Sequence, residues 1–287
     1  MDSKGHWEAV YEAKAATEMS WFSPHLQTSL SLIQQVAPQK SSSIIDVGGG
    51  ESTLADDLIS RAYQHITVLD IAQTAIDKTK ERLGSAANHM QWLVGDITRV
   101  RLPECAYDVW HDRAVFHFLT QPAERLAYVS QVVSAVKPGG HVIVATFGPE
   151  GPQKCSGLNV LRYDADSLHH EFGPRFRLVE STNEIHQTPF GTTQQFLYCY
   201  SPRRGGAPLP SPARSTHCRP LPSGTSGTVA GLVPSVARRV FAGLPLRLPQ
   251  AQRVLEGGSR ALCIVRLRKL SLSCSRHVTC PFGAVHR

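Results

Sequence analysis

Acidic residues and a glycine-rich loop stand at the ends of three apolar segments. The segment IIDVGGGESTL contains Asp46, Gly48 and Gly50, whereas HITVLD and MQWLVGD end at Asp70 and Asp96. Glycines let the backbone approach a ligand without a Cβ clash. A carboxylate at the end of the next strand can accept hydrogen bonds from both hydroxyls of a ribose. These residues therefore indicate a ligand that contains a nucleoside.

The elements that must position these residues alternate between two patterns. Strands are predicted at SIIDVG, HITVLD, MQWLVGD, YDVWHD and GGHVIVATF. Covering helices are predicted at STLADDLISRA, AQTAIDKTKERLG and PAERLAYVSQVVSAVKPGG, with Lys137, Pro138 and Gly139 ending the last one. This alternation is typical of βα units and a parallel sheet, which binds ligands at the carboxyl ends of its strands.

Further elements flank the alternating region. A short helix is predicted near DADSLHHEFG, and FRLVESTNEIHQ and TTQQFLYCY are predicted to form an antiparallel hairpin. Two helices, HWEAVYEAKAA and PHLQTSLSLIQQVA, are predicted to form a cap that consists of residues 1–40. The sequence thus predicts an α/β, Rossmann-like, doubly wound fold over residues 41–200. Its mostly parallel seven-stranded sheet would carry an antiparallel C-terminal hairpin and an N-terminal helical cap.

The loop and the three acids resemble those of class I S-adenosylmethionine-dependent methyltransferases, whose loop typically reads acidic-x-Gly-x-Gly-x-Gly. The resemblance covers roughly residues 40–200 and implies S-adenosylmethionine as the cofactor. It implies that Asp46 lies near the methionine moiety, that Asp70 binds the ribose and that Asp96 holds the adenine amine. Ser52 replaces the third glycine, and we expect it to cap the helix that follows. The expected cofactor contacts are Asp46, Gly48, Gly50, Asp70, Ile71, Asp96, Ile97 and Trp21.

The segment HDRAVFHFL follows the fourth predicted strand, where the family places its substrate-facing residues. The candidate catalytic residues are His111, Asp112, Arg113 and His117. Methyl transfer from a sulfonium mainly requires alignment and exclusion of water, so a general base is optional. An imidazole titrates near about 6.5, so His117 could accept a proton, but it could equally be a packed helix-face residue. Asp112 and Arg113 could equally form a structural ion pair.

The aromatic cap and the fourth strand bear on the acceptor. The pattern WEAVYEAK…MSWF resembles the lid of small methyltransferases that act on thiols, metalloids or other small molecules, and also that of protein-lysine methyltransferases. The fourth strand reads His-Asp-Arg-Ala, without the Asn-Pro-Pro-Tyr or Asp-Pro-Pro-Tyr segment of amino-group methyltransferases on nucleic acid or glutamine. The favoured acceptor is a small molecule, namely a thiol, a metalloid or an amine, and a protein lysine is the alternative.

Two alternatives belong to other classes of protein. An NAD-binding Rossmann domain uses the same topology, but its last loop glycine is replaced here by Thr53, and it rarely has an acid at the place of Asp46. A non-catalytic cofactor-binding module, with a basic tail that contacts RNA, is the other alternative. Binding without product formation would identify that module.

Charge divides the chain in two. Residues 1–200 hold 16 Lys+Arg against 22 Asp+Glu, a net charge of −6, whereas residues 201–287 hold 14 against one, a net charge of +13. The second part is rich in Pro, Gly, Ser and Arg and has two aromatic residues, which predicts disorder. Out-of-frame translation of GC-rich DNA explains it better than RNA binding, so no specific nucleic-acid partner is expected.

The seven cysteines contain no CxxC pair. Their odd number, without a recognisable signal peptide, predicts reduced thiols and no metal site. No run approaches the roughly 18 apolar residues of a membrane span. We therefore expect a cytoplasmic protein without a membrane partner, and the sequence does not indicate its oligomeric state.

Overall fold

A computed structural model of the protein describes residues 3–205. The strands are β1 (Ser43–Val47), β2 (His65–Asp70), β3 (Gln91–Val94), β4 (Tyr107–Arg113), β5 (Val136–Phe147), β6 (Lys154–Cys155), β7 (Leu158–Asn159), β8 (Glu180–Gln187) and β9 (Thr193–Pro202). The helices are α1 (Ser3–Ala13), α2 (Gln27–Val36), α3 (Leu54–Ser60), α4 (Gln73–Leu83), α5 (Pro122–Ala135) and α6 (Ala165–Phe172). Short 3₁₀ turns occupy Ala16–Glu18, Gly84–His89 and Phe116–Phe118. The tail expected over residues 201–287 lies outside the described residues from position 206 onward.

Seven strands form one sheet in the order β3-β2-β1-β4-β5-β9-β8. The first five are parallel, and β9 runs antiparallel to both of its neighbours. The predicted Rossmann-like, mostly parallel sheet with an antiparallel hairpin is thus confirmed. Successive strands extend outward in opposite directions from β1, so the crevice of the sheet opens between β1 and β4.

The two faces of the sheet bury separate apolar clusters. One cluster joins β1 to α2, α3 and α4 through residues such as Ile44, Ile33 and Leu58. The other joins β4 and β5 to α5 and α6 through Trp110 and Val132. Burial of each such side chain contributes about 1.5–3 kcal/mol. Because α2 belongs to the first of these layers, the part of the predicted cap that covers the end of the sheet is α1 and the loop after it.

Local boundaries differ from the sequence expectation at two turns. Helix α5 ends at Ala135. The segment from Lys137 to Gly139, which was expected to end the helix, instead belongs to the start of β5. There Gly139 and Gly140 exchange backbone hydrogen bonds with Arg203. Thr53 is the N-cap of α3, whereas the Ser52 hydroxyl accepts a hydrogen bond from the Leu54 N–H at 3.1 Å.

Helix α1 is fastened to the start of α4. The Glu8 carboxylate accepts hydrogen bonds from the backbone N–H groups of Gln73 at 2.8 Å and Thr74 at 3.0 Å. Burial is the largest single influence and raises the pKa of Glu8, but the hydrogen bonds from Thr74 and Gln73, with the charge of Lys4, together lower it more, so its pKa lies below the ordinary value. Lys78 of α4 donates to the carbonyl of Tyr11 in α1. A carboxylate at a helix N-terminus is favourable, and this one joins the cap to the domain.

Within residues 3–205, none of the helices combines the length and apolar character needed to cross a bilayer. The same range contains no group of three or more His, Cys, Asp or Glu side chains arranged to hold a metal ion.

Candidate functional site

A cavity of about 210 Å³ lies at the carboxyl ends of β1 to β4, beneath α1 and the loop after it. Nine of the twelve residues expected at the site line it: Trp21, Asp46, Gly48, Asp70, Ile71, Asp96, Ile97, His111 and Arg113. The other three, Gly50, Asp112 and His117, lie behind its wall. The acids follow the strand order β3, β2, β1, so they form one row along the cavity.

Asp46 at the end of β1 is held from one side. Its Oδ1 atom lies 2.7 Å from His111 Nδ1, and His111 Nε2 lies 2.9 Å from the Ser29 hydroxyl. The Ser29 hydroxyl in turn donates to the Tyr198 hydroxyl at 3.3 Å. All four residues are buried. His111 therefore orients Asp46, and both of its ring nitrogens are engaged.

The glycine loop folds back over β2. Gly48 has φ +68°, and a Cβ atom there would overlap the side chain of Val115. Gly50 has φ +33°, and a Cβ atom there would lie 2.7 Å from the Tyr11 hydroxyl and 2.8 Å from Asp70 Oδ2. Both positions therefore require glycine. Gly50 supports the site from behind by allowing Asp70 and Tyr11 to approach.

Asp70 at the end of β2 is almost completely buried. Its Oδ1 atom accepts a hydrogen bond from the Ala72 N–H at 2.9 Å. Burial raises the pKa of Asp70 to about 7, with a further contribution from the nearby charge of Asp46 and an opposing one from backbone N–H groups. Hydrogen-bond donors from a ligand would stabilise the ionised form of this buried carboxylate.

Asp96 after β3 is only partly buried. Its Oδ1 atom accepts from the Thr98 N–H at 2.8 Å and the Thr98 hydroxyl at 2.7 Å, while Oδ2 lies 3.6 Å from Arg99 Nε. The neighbouring Ile97 side chain is buried and lines the cavity, as does Ile71 after β2. This end of the cavity thus combines an apolar wall with one carboxylate at its edge.

Asp112 points to the opposite face of the sheet. Its carboxylate accepts from the backbone N–H groups of Val115 at 2.8 Å and Phe116 at 3.1 Å, and from the Tyr128 hydroxyl at 2.6 Å. Trp110 Nε1 donates to the same Tyr128 oxygen at 2.8 Å. Although burial raises the pKa of Asp112 to about 6, the hydrogen bonds oppose this shift. Its position is that of a support for the loop after β4.

His117 is fully buried between the rings of Phe118 and Phe147, with centroid distances of 4.5 and 4.6 Å. Its Nδ1 atom accepts the Phe147 N–H at 3.2 Å. Burial, reinforced by the charge of Arg113, lowers the pKa of His117 to about 3. The imidazole is thus neutral and outside the cavity, which favours a packing role.

Arg113 lines the cavity from the end of β4. Its Nε atom donates to the Tyr198 hydroxyl at 3.1 Å and its Nη1 atom to the Trp21 carbonyl at 3.1 Å. The guanidinium lies 4.2 Å above the Phe196 ring. Its Nη2 atom lies 3.7 Å from Glu184 and has no hydrogen-bond partner among the described residues.

Several residues that line the cavity were not predicted as site residues. Trp7 of α1 meets the rings of Trp21 and Phe118 edge-on, at 5.9 and 5.1 Å, and closes the cavity with them. Cys155 belongs to the small β6–β7 hairpin, and burial raises its thiol pKa to about 11. Glu51 follows the glycine loop and forms an ion pair with Lys78 at 3.3 Å. The sequence signal for Glu51 was its place in GGGES, next to three glycines.

Two carboxylate oxygens suit the cofactor that the sequence resemblance implies. Asp46 Oδ2 and Glu51 Oε2 are buried and have no hydrogen-bond partner among the described residues. Unpaired buried acceptors are costly unless a ligand or water satisfies them. The methionine part of S-adenosylmethionine carries an ammonium group and a sulfonium, so the residues present fit this cofactor.

Comparison with known proteins assigns the domain. Residues 44–140 match the family model described as methyltransferase domain. This part of the chain is a class I S-adenosylmethionine-dependent methyltransferase domain, whose cofactor is S-adenosylmethionine. The chain is also similar to a solved S-adenosylmethionine-dependent methyltransferase from Anabaena variabilis, with a TM-score of 0.57 and 13% identity over 71% of this chain and 96% of that one.

Curated relatives match only part of the chain. It is 29% identical over 111 residues to the eEF1A lysine and N-terminal methyltransferase of Mus musculus, which covers 39% of this chain and 16% of the relative. It is 26% identical over 119 residues to the ubiquinone/menaquinone biosynthesis C-methyltransferase of Roseobacter denitrificans, covering 40% of this chain and 46% of the relative. The chain thus spans less than half of the length of either relative.

Proposed function

We propose that this protein transfers a methyl group from S-adenosylmethionine to a small-molecule acceptor. The observation that carries the proposal is the row of Asp96, Asp70 and Asp46 along one cavity, which ends at a buried, unpaired Asp46 oxygen. The row runs from an apolar wall to a pair of carboxylates, as an adenine, a ribose and a methionine ammonium would require in turn.

Each of these residues has a role in the proposal. Asp96 and Ile97 would hold the adenine, Asp70 would accept the ribose hydroxyls, and Asp46 would accept the ammonium of the methionine part. Gly48 lets the loop backbone approach the cofactor. When bound, the cofactor supplies a methyl group on a good leaving group, so the chain's own residues mainly align the acceptor and exclude water.

The cover of the cavity supports a small acceptor. Trp7, Trp21 and Phe118 close it, and Tyr11 and Met19 are buried beneath them. Aromatic faces also stabilise a nearby cation such as a sulfonium. Asp112 and His117 take positioning roles in this proposal, because neither lines the cavity.

Binding and product formation test the proposal separately. Calorimetry of the full chain with S-adenosylhomocysteine should give saturable binding, and Asp70→Asn should weaken it roughly tenfold to a hundredfold by loss of the ribose hydrogen bonds. The matched control is Asp77→Asn, an exposed aspartate of α4. Wild-type affinity in Asp70→Asn would contradict the site assignment.

Methyl-labelled cofactor incubated with thiols, metalloids, amines, carboxylic acids and whole-cell protein then identifies the acceptor class. A labelled small product supports the proposal. Binding without any labelled product would identify a non-catalytic module instead.

Protein-lysine methylation is the second candidate, and it is favoured by the similarity to the eEF1A lysine and N-terminal methyltransferase of the mouse. Label that remains on protein, and is found on lysine after hydrolysis, would establish it.

Domain limits and location also belong to the proposal. We assign cofactor binding and catalysis to the part ending near Arg203, with the basic tail dispensable for both. The free thiols of Cys105, Cys155 and Cys199 fit a cytoplasmic location.

A further inference from the structure

The acceptor end of the cavity can be located from the strand order, given the proposed function. The cofactor residues occupy β3, β2 and β1, so the space left for an acceptor lies over β4 and beyond. Arg113 at the end of β4, with Cys155 and Leu158 of the β6–β7 hairpin, lines that part. These residues therefore border the space left for an acceptor.

A positive charge is fixed at this end. Arg113 is the only Lys or Arg among the described residues lining the cavity, and its side chain is 5% exposed. Tyr198 and the Trp21 carbonyl hold its Nε and Nη1 atoms, which leaves Nη2 without a hydrogen-bond acceptor. Glu184 offsets the charge only partly, because it lies 3.7 Å away, forms no hydrogen bond to Nη2 and is 24% exposed.

No free histidine accompanies this charge among the described lining residues; the carboxylates there are Asp46, Asp70, Asp96 and Glu51 along the row of acids, and Glu124, which accepts from the Gln121 N–H. His111 is the only histidine there, and both of its nitrogens are engaged by Asp46 and Ser29. Burial raises the pKa values of the Cys155 thiol and the Tyr11 hydroxyl, so neither is ionised near neutral pH. An acceptor that arrives protonated over β4 would therefore find no free imidazole, thiolate or phenolate there to take its proton.

We propose that the acceptor presents an anionic nucleophile, a thiolate or a carboxylate of a small molecule, and that Arg113 binds this anion. A lone pair of the anionic sulfur or oxygen forms the bond to the methyl carbon, while the carbon–sulfur bond of the sulfonium breaks with both electrons going to sulfur. A cation and an anion become two neutral products, so no proton moves. A lysine ammonium would be repelled by Arg113 and would also need a base.

Four probes that share a benzyl group and differ in their functional group test this inference: phenylacetate, phenylmethanethiol, benzylamine and benzyl alcohol. A lysine-containing peptide is the fifth probe. We expect methylation of the acid or the thiol only, and the two arms identify which anion is used. Calorimetry should show phenylacetate or phenylmethanethiol binding to the S-adenosylhomocysteine complex. The inference would be overturned if benzylamine, benzyl alcohol or the peptide were the best acceptor. It would also be overturned if S-adenosylhomocysteine bound normally but neither anionic probe was bound or methylated.

Charge variants separate recognition from folding. Arg113→Gln should raise KM for the anionic probe about tenfold or more while sparing S-adenosylhomocysteine affinity, and Arg113→Lys should recover part of the loss. Glu184 is partly exposed on β8, and Glu184→Gln should lower KM for the anionic probe. Arg61→Gln, which removes a positive charge outside the cavity, is the control. An unchanged KM in both Arg113→Gln and Glu184→Gln would refute the role of Arg113, whereas failure of the wild type to bind S-adenosylhomocysteine would refute the proposed function itself.

Discussion

Affinity for the adenosine part of the cofactor should depend on pH through Asp70. Burial and the nearby Asp46 raise the pKa of Asp70 to about 7 in the unliganded domain. The ionised carboxylate offers both oxygens as acceptors to the ribose hydroxyls, whereas protonation turns one of these oxygens into a donor. At about pH 6 roughly one molecule in eleven is ionised, and at about pH 8 roughly ten in eleven. Affinity should therefore rise about tenfold over this interval, or about 1.4 kcal/mol.

The measurement is calorimetric titration with 5′-methylthioadenosine across this interval. This probe lacks the amino-acid part of the cofactor, so no ligand ammonium titrates together with Asp70. Buffers of different ionisation enthalpy should report release of nearly one proton on binding at about pH 6. Asp70→Asn should bind more weakly and without this pH dependence.

A flat profile in the wild type would show that Asp70 is ionised throughout, or that it does not contact the ribose. An equal slope in wild type and Asp70→Asn would assign the titration to another group. Either result would refute the reasoning.

Three further variants test the site and its support. Tyr128→Phe removes a donor from the buried carboxylate of Asp112 and should lower the free energy of unfolding in urea by about 1–3 kcal/mol, without changing 5′-methylthioadenosine affinity. Gly48→Ala should lower the melting temperature and abolish cofactor binding, because φ is +68° and the added Cβ overlaps Val115. His111→Ala should weaken S-adenosylhomocysteine about tenfold or more but spare 5′-methylthioadenosine, since it orients only the acid expected at the methionine end; equal losses for both ligands would contradict that role.

The row of three acids along the cavity was predictable because it depends on local patterns. Asp46, Asp70 and Asp96 each follow an apolar run, and parallel strands in one sheet bring such ends together. The arrangement needs no knowledge of distant contacts. The parallel register of β1 with β2 and of β2 with β3 places the ends of these strands side by side, as the prediction for the three acids requires.

The segment after β4 was less predictable, although strand geometry holds part of the answer. Successive side chains of a strand point to opposite faces, so His111 and Arg113 share one face and Asp112 takes the other. Which face is the cavity depends on α2 and on Tyr198, far away in sequence. The burial of His117 between Phe118 and Phe147 likewise depends on β5, as the role of Glu8 depends on α4.

The fastening of α1 has a practical consequence for measuring ligand occupancy. Ser3, at the first turn of this helix, lines the rim of the cavity, while Glu8 further along holds the helix to the backbone of α4 just after the Asp70 loop. A fluorophore attached at position 3 would sit at the end of this anchored helix, beside the cavity proposed to bind the cofactor. Its emission would report ligand binding directly. A bulky purification tag at the same position would instead obstruct the cavity.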